Sequence, residues 1–282
     1  MELEWDYNKR TCVIAMSGYI NKILRKHPHK IPHKPQHSPN KWTAPKYGSS
    51  TQQPTESPKG KPISEKRKKG IIRSLLHYAR AVDPTMLMTI NIIAAQQSQG
   101  TDETAQAINQ LLNYSSTHPN VPIQFTASDM MLCCQSDASY LLVPKGRNRV
   151  AGYFYLGSET PHNQEPQPQP PANAPIHVEC KALKNVVASA AEAEFAALFE
   201  NCKIVINLRN TLTGLGYTQQ STAIVTDNST AWAIANNKIK KQKSNAIDMR
   251  YFWVQDRCHQ NHAKSLPQLR RLLHQASLTG AS

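Results

Sequence analysis

Three acidic residues carry the chemistry this sequence is best equipped for. They are Asp137 in Ser136-Asp137-Ala138-Ser139-Tyr140, Glu194 in Ala191-Glu192-Ala193-Glu194-Phe195, and Asp227 in Thr226-Asp227-Asn228-Ser229. Each is expected where a strand ends or just inside a helix. Carboxylates brought together from separate elements form the hard-oxygen donor set of Mg²⁺ and suit metal-assisted phosphodiester hydrolysis. Taken singly, each acid is an ordinary solvated residue or cap. Asp227, directly before Asn228-Ser229, has the composition of a helix N-cap. The three together, in the order Asp, Glu, Asp, form a much stronger signal. Glu192 is the weaker candidate for the helix position.

The elements that must position these acids follow from the apolar patterning. Residues 131–140 and 150–156 read as strands joined by the turn Pro144-Lys145-Gly146-Arg147. A Pro/Gln-rich loop covers about 159–175, and a short strand follows at 176–178. Residues 189–213 read as a helix with Ala190, Ala193, Ala197 and Leu198 inward. Residues 222–226 form another strand. Helices then start at Asn228 and at Ile247. This order, β-β-β-α-β-α-α, predicts an α/β fold with a mixed sheet flanked by helices.

Upstream, Leu3–Tyr7 and Cys12–Met16 predict a hairpin, followed by a short helix at 19–24. Residues 70–116 read as helices, with Leu75, Leu76, Tyr78 and Ala79 on one face. The segment 86–95 is apolar nearly throughout, and Thr101 is placed to cap a third helix. Between these parts, residues 27–69 form a Pro-, His-, Ser- and Lys-rich linker. Its His27, His29, His33 and His37 match no zinc spacing, and the prolines among them hold the backbone extended. Lys66-Arg67-Lys68-Lys69 is a phosphate-contacting run, a charged helix start or a nuclear-import-like patch.

Composition supports a polyanionic partner. Lys+Arg number 33 and Asp+Glu 19, so 33 − 19 gives a formal charge of +14. Such an excess favours nucleic acid, with a generally basic soluble surface as the alternative. The six cysteines (Cys12, Cys133, Cys134, Cys180, Cys202, Cys258) have no metal-ligand spacing and suggest a reducing, intracellular compartment, cytoplasmic or nuclear. No apolar run is long enough to span a membrane. Met1-Glu2-Leu3-Glu4 is not a signal peptide, and the chain reads as starting inside a domain.

With these residues in view, the chain resembles the distal Pol region of a copia-type LTR retrotransposon. Leu3-Glu4-Trp5 through Met16-Ser17-Gly18-Tyr19-Ile20 resembles the late reverse-transcriptase hairpin and its following helix. Ser74-Leu75-Leu76-His77-Tyr78-Ala79-Arg80-Ala81-Val82-Asp83 resembles the connection helix. The three acidic signatures and Ile247-Asp248-Met249-Arg250 resemble the ribonuclease H blocks. The resemblance covers nearly all of residues 1–260. It implies the end of a reverse-transcriptase domain at 1–26, the linker at 27–69, and a helical connection at 70–120. A ribonuclease H-like domain is implied at 121–262, with an aberrant tail at 263–282.

By the same resemblance, Asp137, Glu194 and Asp227 are the catalytic carboxylates, holding two Mg²⁺ (or Mn²⁺) ions. The implied substrate is the RNA strand of an RNA–DNA hybrid, sensed through its A-form shape and 2′-hydroxyls. The rest of the Pol polyprotein is an implied partner, and Asp248 is implied to be structural. The order of the acids separates this pattern from integrase-type relatives, which place their Glu last.

The departures from the family are specific. The Tyr-x-Asp-Asp turn of the polymerase centre is absent. Arg73 replaces a usual Gly, and Asn245-Ala246 replace a commonly basic pair. No Asp or Glu follows Asp256, so the fourth metal-site acid is missing, and the final strand and helix are expected to be missing with it. That would leave an exposed sheet edge, a template for aggregation. Codons for Gln268–Ser277 exist that, read one base later, spell Asn-Phe-Ala-Asp-Tyr-Phe-Thr-Lys-His, a family-like ending with its Asp. A frameshifted copy is therefore the expected origin of the tail. Two activities remain open: hybrid cleavage, or a non-catalytic, basic remnant that binds nucleic acid.

Overall fold

The computed structural model describes residues 1–41, 65–96, 101–143, 147–158, 171–184, 187, 189–236, 245–260 and 262–267. The chain forms two compact units. One comprises 1–127 with 141–147 and 180–182; the other comprises 128–140, 148–179 and 183–282.

The first unit opens with the expected hairpin, β1 (Glu2–Asp6) and β2 (Thr11–Ala15), paired antiparallel with Leu3 opposite Ile14 and Trp5 opposite Cys12. Asp6 closes the turn by accepting from the Lys9 backbone N–H at 2.9 Å. Helix α1 (Tyr19–Lys26) follows, with Ile20 and Ile23 buried. Next come α2 (Glu65–Ala81), a 3₁₀ turn at Pro84–Met86, α3 (Leu87–Ala95) and α4 (Asp102–Thr117). The four helices pack by the faces that the sequence marks as apolar. Leu75, Tyr78, Ile90, Ile93, Leu111 and Leu112 are all essentially inaccessible to solvent. Each such side chain contributes about 1.5–3 kcal/mol through its removal from water. At the N-cap of α4, the Thr101 backbone N–H donates to Thr104 Oγ1 at 3.1 Å.

Two boundaries differ from the expectation. Strand β3 (Ile123–Thr126) lies within the 121–262 range assigned to the nuclease domain. It pairs instead with β2, with Ile123 opposite Ile14 and Phe125 opposite Cys12. These apolar cross-strand pairs complete a three-stranded sheet in the first unit. The linker also differs at both of its described ends. Glu65–Lys69 already belongs to α2, so the basic run starts a helix. At the other end, residues 29–38 lie along α4. His29 Nε2 meets Asn113 Oδ1 at 2.7 Å, and the Gln36 N–H donates to Thr117 Oγ1 at 3.0 Å. Polar side chains thus anchor a segment that has no apolar period.

The second unit holds the expected α/β arrangement, a mixed sheet with helices against it. Its strands are β4 (Met131–Val143), β5 (Arg147–Gly157), β6 (Pro175–Ala182), β7 (Thr222–Thr226) and β8 (Ala263–Pro267), in the spatial order β6-β5-β4-β7-β8. β4 and β5 are neighbours joined by three residues, a length that permits only an antiparallel hairpin. β4, β7 and β8 run parallel, so the sheet is mixed. Helices α5 (Ala190–Gly214), α6 (Ser229–Ala235) and α7 (Asn245–His259) complete the unit. Leu132, Cys134, Phe154, Phe195, Leu198, Cys202, Val205 and Ile224 form the core between sheet and helices. Ala190, expected inward, is exposed because it occupies the first position of α5, beyond the sheet-facing stripe.

The final strand is a correction. The aberrant tail was expected to leave the sheet edge open, but Ala263–Pro267 pairs with β7, placing Ala263 opposite Thr222 and Leu266 opposite Val225. Strand pairing uses backbone N–H and C=O groups, so an altered side-chain sequence can still supply it. The rest of the tail, residues 268–282, lies outside the described residues. No helix among the described residues is long and apolar enough to cross a membrane.

Candidate metal centre

The site is built where the paired stretch of β4 and β7 ends. Their parallel register sets Cys133 opposite Ala223, Cys134 opposite Ile224 and Gln135 opposite Val225. Carried two residues further, that register aligns Asp137 with Asp227. Open α/β sheets bind ligands at this end of their parallel strands. Asp137 does not end its strand as expected: β4 continues to Val143, and it is the pairing with β7 that stops before Asp137.

Glu194 arrives from α5. Ser189 caps this helix by accepting from the Glu192 N–H at 3.1 Å, so helical geometry begins one turn before Glu194. The helix ends in a Schellman motif. The Gly216 N–H donates to Thr213 O at 2.9 Å and the Tyr217 N–H to Leu212 O at 3.0 Å, with Gly216 in the left-handed region at φ +94°. The chain returning from this turn is held by Arg209, whose guanidinium donates to the carbonyls of Gln219 and Gln220 and to Thr222 Oγ1.

Asp227 is not the cap of α6. That role belongs to Asn228, whose Oδ1 accepts from the Ala231 N–H at 2.9 Å. The Asp227 carboxylate is thereby left for the acid cluster. Donor atoms from Asp137, Glu194 and Asp227 all lie within 4.8 Å of one another. Among the described residues this is the single group of three or more potential metal ligands. The linker histidines His27, His29, His33 and His37 form no such group, and Glu192 lies outside it. Asp248 belongs to the part of α7 whose side chains are outside the described set.

The electrostatics match a cation site. Glu194 is buried, and its carboxyl is pushed up to about 8, first by desolvation and then by the charges of Asp137 and Asp227. The Ala138 N–H donates to Glu194 Oε1 at 3.2 Å and opposes that rise. Glu194 Oε2 is buried with no hydrogen-bond partner. Asp137 is also raised, by desolvation first and the Asp227 charge second, although its side chain keeps contact with solvent. Three carboxylates with an orphaned buried oxygen suit a hard divalent cation, which takes oxygen ligands and offsets their repulsion. Asp137, Glu194 and Asp227 are the residues that would hold it.

Sequence reasoning missed Asn201 and Arg209. Asn201 is fully buried, and its Nδ2 donates to Ser136 Oγ and to Ala151 O, both at 2.9 Å. Its one sequence signal is a polar residue two turns after Glu194 on an otherwise apolar helix face.

No protein-family model matches the chain. It is similar to the retrovirus-related Pol polyprotein from transposon TNT 1-94 of Nicotiana tabacum, at 23% identity over 185 residues. The similarity covers 66% of this chain and spans 13% of the relative's length. The resemblance to a retrotransposon Pol region is supported by this relative. Solved structures with similarity include LC11-RNase H1, isolated from compost, at 9% identity and TM-score 0.36, covering 50% of this chain and 86% of that one. The same enzyme in complex with an RNA/DNA hybrid gives 7% and 0.33, covering 49% and 83%. RNase H1 of Halobacterium salinarum gives 11% and 0.30, covering 50% and 86%.

Proposed function

We propose that this chain is the reverse-transcriptase/ribonuclease H part of a copia-type retrotransposon Pol polyprotein. Its second unit hydrolyses the RNA strand of RNA–DNA hybrids. The observation that carries the reading is the convergence of Asp137, Glu194 and Asp227 where β4 and β7 stop pairing, with Glu194 Oε2 buried and unpartnered. The excess of basic residues suits the phosphate backbone of the substrate.

Two Mg²⁺ (or Mn²⁺) ions, when bound, would activate a water and stabilise the leaving oxygen. The protein's own contribution is placement. β4 carries Asp137, the turn after β7 carries Asp227, and α5 brings Glu194 to them. The Ala138 N–H fixes one Glu194 oxygen and leaves the other buried without a protein partner. Burial holds Glu194 protonated until near pH 8 in the absence of a cation, so cation binding displaces a proton.

A labelled RNA–DNA hybrid incubated with the purified chain and Mg²⁺ or Mn²⁺ tests the reading, with Asp137→Asn alongside. Metal-dependent cutting of the RNA strand, lost in the variant, is the expected result. The basic excess is equally met by a second reading, a nucleic-acid-binding remnant without catalysis. That reading predicts salt-sensitive hybrid binding by folded protein and no metal-dependent cutting.

A further inference from the structure

We propose that Asn201 is a positioning residue for the acid cluster. Its buried carboxamide ties Ser136 of β4 and Ala151 of β5 to α5, and so holds Asp137 within metal-bridging reach of Glu194. The inference rests on reading Asp137, Glu194 and Asp227 as a metal site.

Asn201 sits among apolar neighbours, between Leu198, Cys202 and Val205 of the core-facing stripe. A buried primary amide there is costly unless its groups are bonded. Both Nδ2 protons are used, one on the Ser136 hydroxyl and one on the Ala151 carbonyl, while the buried Oδ1 has no hydrogen-bond partner. The second bond fixes the amide orientation, because a carbonyl accepts only from the NH₂ side.

The geometry is specific to Asp137. Asn201 and Glu194 lie about two turns apart on the same face of α5. Glu194 holds Ala138 through its backbone N–H, and Asn201 holds Ser136 through its hydroxyl. Ala138 also packs against the core group of Val150, Leu183, Ala196 and Ala197, which places it on the helix side of the sheet. Asp137 lies between two residues that a single helix face grips. An apolar residue at 201 would fill the same space but would leave the Asp137 segment attached at one end only.

Gly152 completes the arrangement. A Cβ there would overlap Asn201 Oδ1 and stand 2.8 Å from the Phe154 ring. The backbone of β5 must therefore approach the carboxamide closely, which only glycine allows.

The test uses the full chain and free Mn²⁺ as probe, followed by electron paramagnetic resonance, together with hybrid cleavage. In folded Asn201→Ala, the Mn²⁺ dissociation constant should rise about tenfold or more, as loss of an outer-shell partner does. Excess Mn²⁺ should restore cleavage. Ser136→Ala should shift binding in the same direction, and combining it with Asn201→Ala should add little. Gly152→Ala is the second route, displacing the carboxamide without removing it. Unchanged Mn²⁺ affinity in folded Asn201→Ala and Gly152→Ala, with only a lowered melting temperature, overturns the proposal. Should Asn201→Ala not fold, the Ser136→Ala and Gly152→Ala affinities decide. A wild-type chain that binds Mn²⁺ but leaves the hybrid intact defeats the nuclease reading, and the variants' affinities still judge Asn201. A wild-type chain that binds no Mn²⁺ defeats both.

Discussion

Asp137 of β4 and Asp227, the residue that follows β7, bring carboxylate oxygens within 4.8 Å of one another, just past the point where the two parallel strands stop pairing at Gln135 and Val225. Two carboxylates held this way, with Glu194 beside them, repel one another unless a cation or proton intervenes. The cluster is therefore a place where function opposes stability.

Removing one of these charges should stabilise the metal-free protein. Asp137→Asn is expected to melt higher than wild type in EDTA and to lose the upward shift that Mg²⁺ gives wild type. Thermal unfolding with and without Mg²⁺ checks this. Its hybrid cleavage should fall by at least the roughly 10–100-fold that loss of an outer-shell partner alone would cost.

The pH dependence follows from Glu194. Its carboxyl is raised from an ordinary 4.5 to about 8 in the fold, so between those values the folded chain binds more protons than the unfolded chain. Stability of the metal-free protein should then fall as pH rises from about 4.5 to about 8, at up to about 1.4 kcal/mol per unit. Asp137, raised in the same direction, adds to this at the acidic end. Metal affinity should rise over the same window, since the ligand must lose its proton. Urea unfolding of wild type and Glu194→Gln in EDTA at pH 5, 6.5 and 8 measures it. A wild-type slope no steeper than that of the variant would contradict the assignment.

Arg209 should act as a structural clasp. Its guanidinium serves the carbonyls of Gln219 and Gln220 and the hydroxyl of Thr222, just where the chain enters β7. Arg209→Ala is expected to cost about 1 kcal/mol, because Thr222 alone among its acceptor residues is buried and the Gln219 and Gln220 carbonyls can turn to water. Arg209→Lys should recover little, since an ammonium lacks the planar fork. Denaturant midpoints give both numbers.

Strand β8 should protect the sheet. Ending the chain at His262 removes the five residues paired with β7 and bares that strand's edge. The shortened protein should melt lower and associate through the open edge, visible by light scattering and gel filtration.

The frameshift has its own test in the coding DNA. The codons of Gln268–Ser277, read one base later, are expected to spell Asn-Phe-Ala-Asp-Tyr-Phe-Thr-Lys-His. Any other reading refutes that origin for the tail.

By itself, the sequence determined the parts. The period of apolar residues marked α5, β7 and the α2–α4 helices, because each buries one face and that face must repeat at the helical or strand period. It also marked Asp137, Glu194 and Asp227 as a set, through their types, order and elements.

Only the tertiary structure decided the partners. Ile123–Thr126 has an unremarkable strand pattern, and nothing local tells whether it joins β2 or the larger sheet; the apolar pairs with Ile14 and Cys12 settle it. Ala263–Pro267 fills the sheet edge through backbone groups that every residue carries, so its side chains gave no sign of it. Whether Asp227 or Asn228 caps α6 depended on one hydrogen bond, and the hold of Asn201 on Ser136 on a contact between residues 65 positions apart. Propensity and periodicity are short-range properties, whereas register, capping choice and buried polar contacts are fixed by which distant backbone and side-chain groups meet once the core has closed.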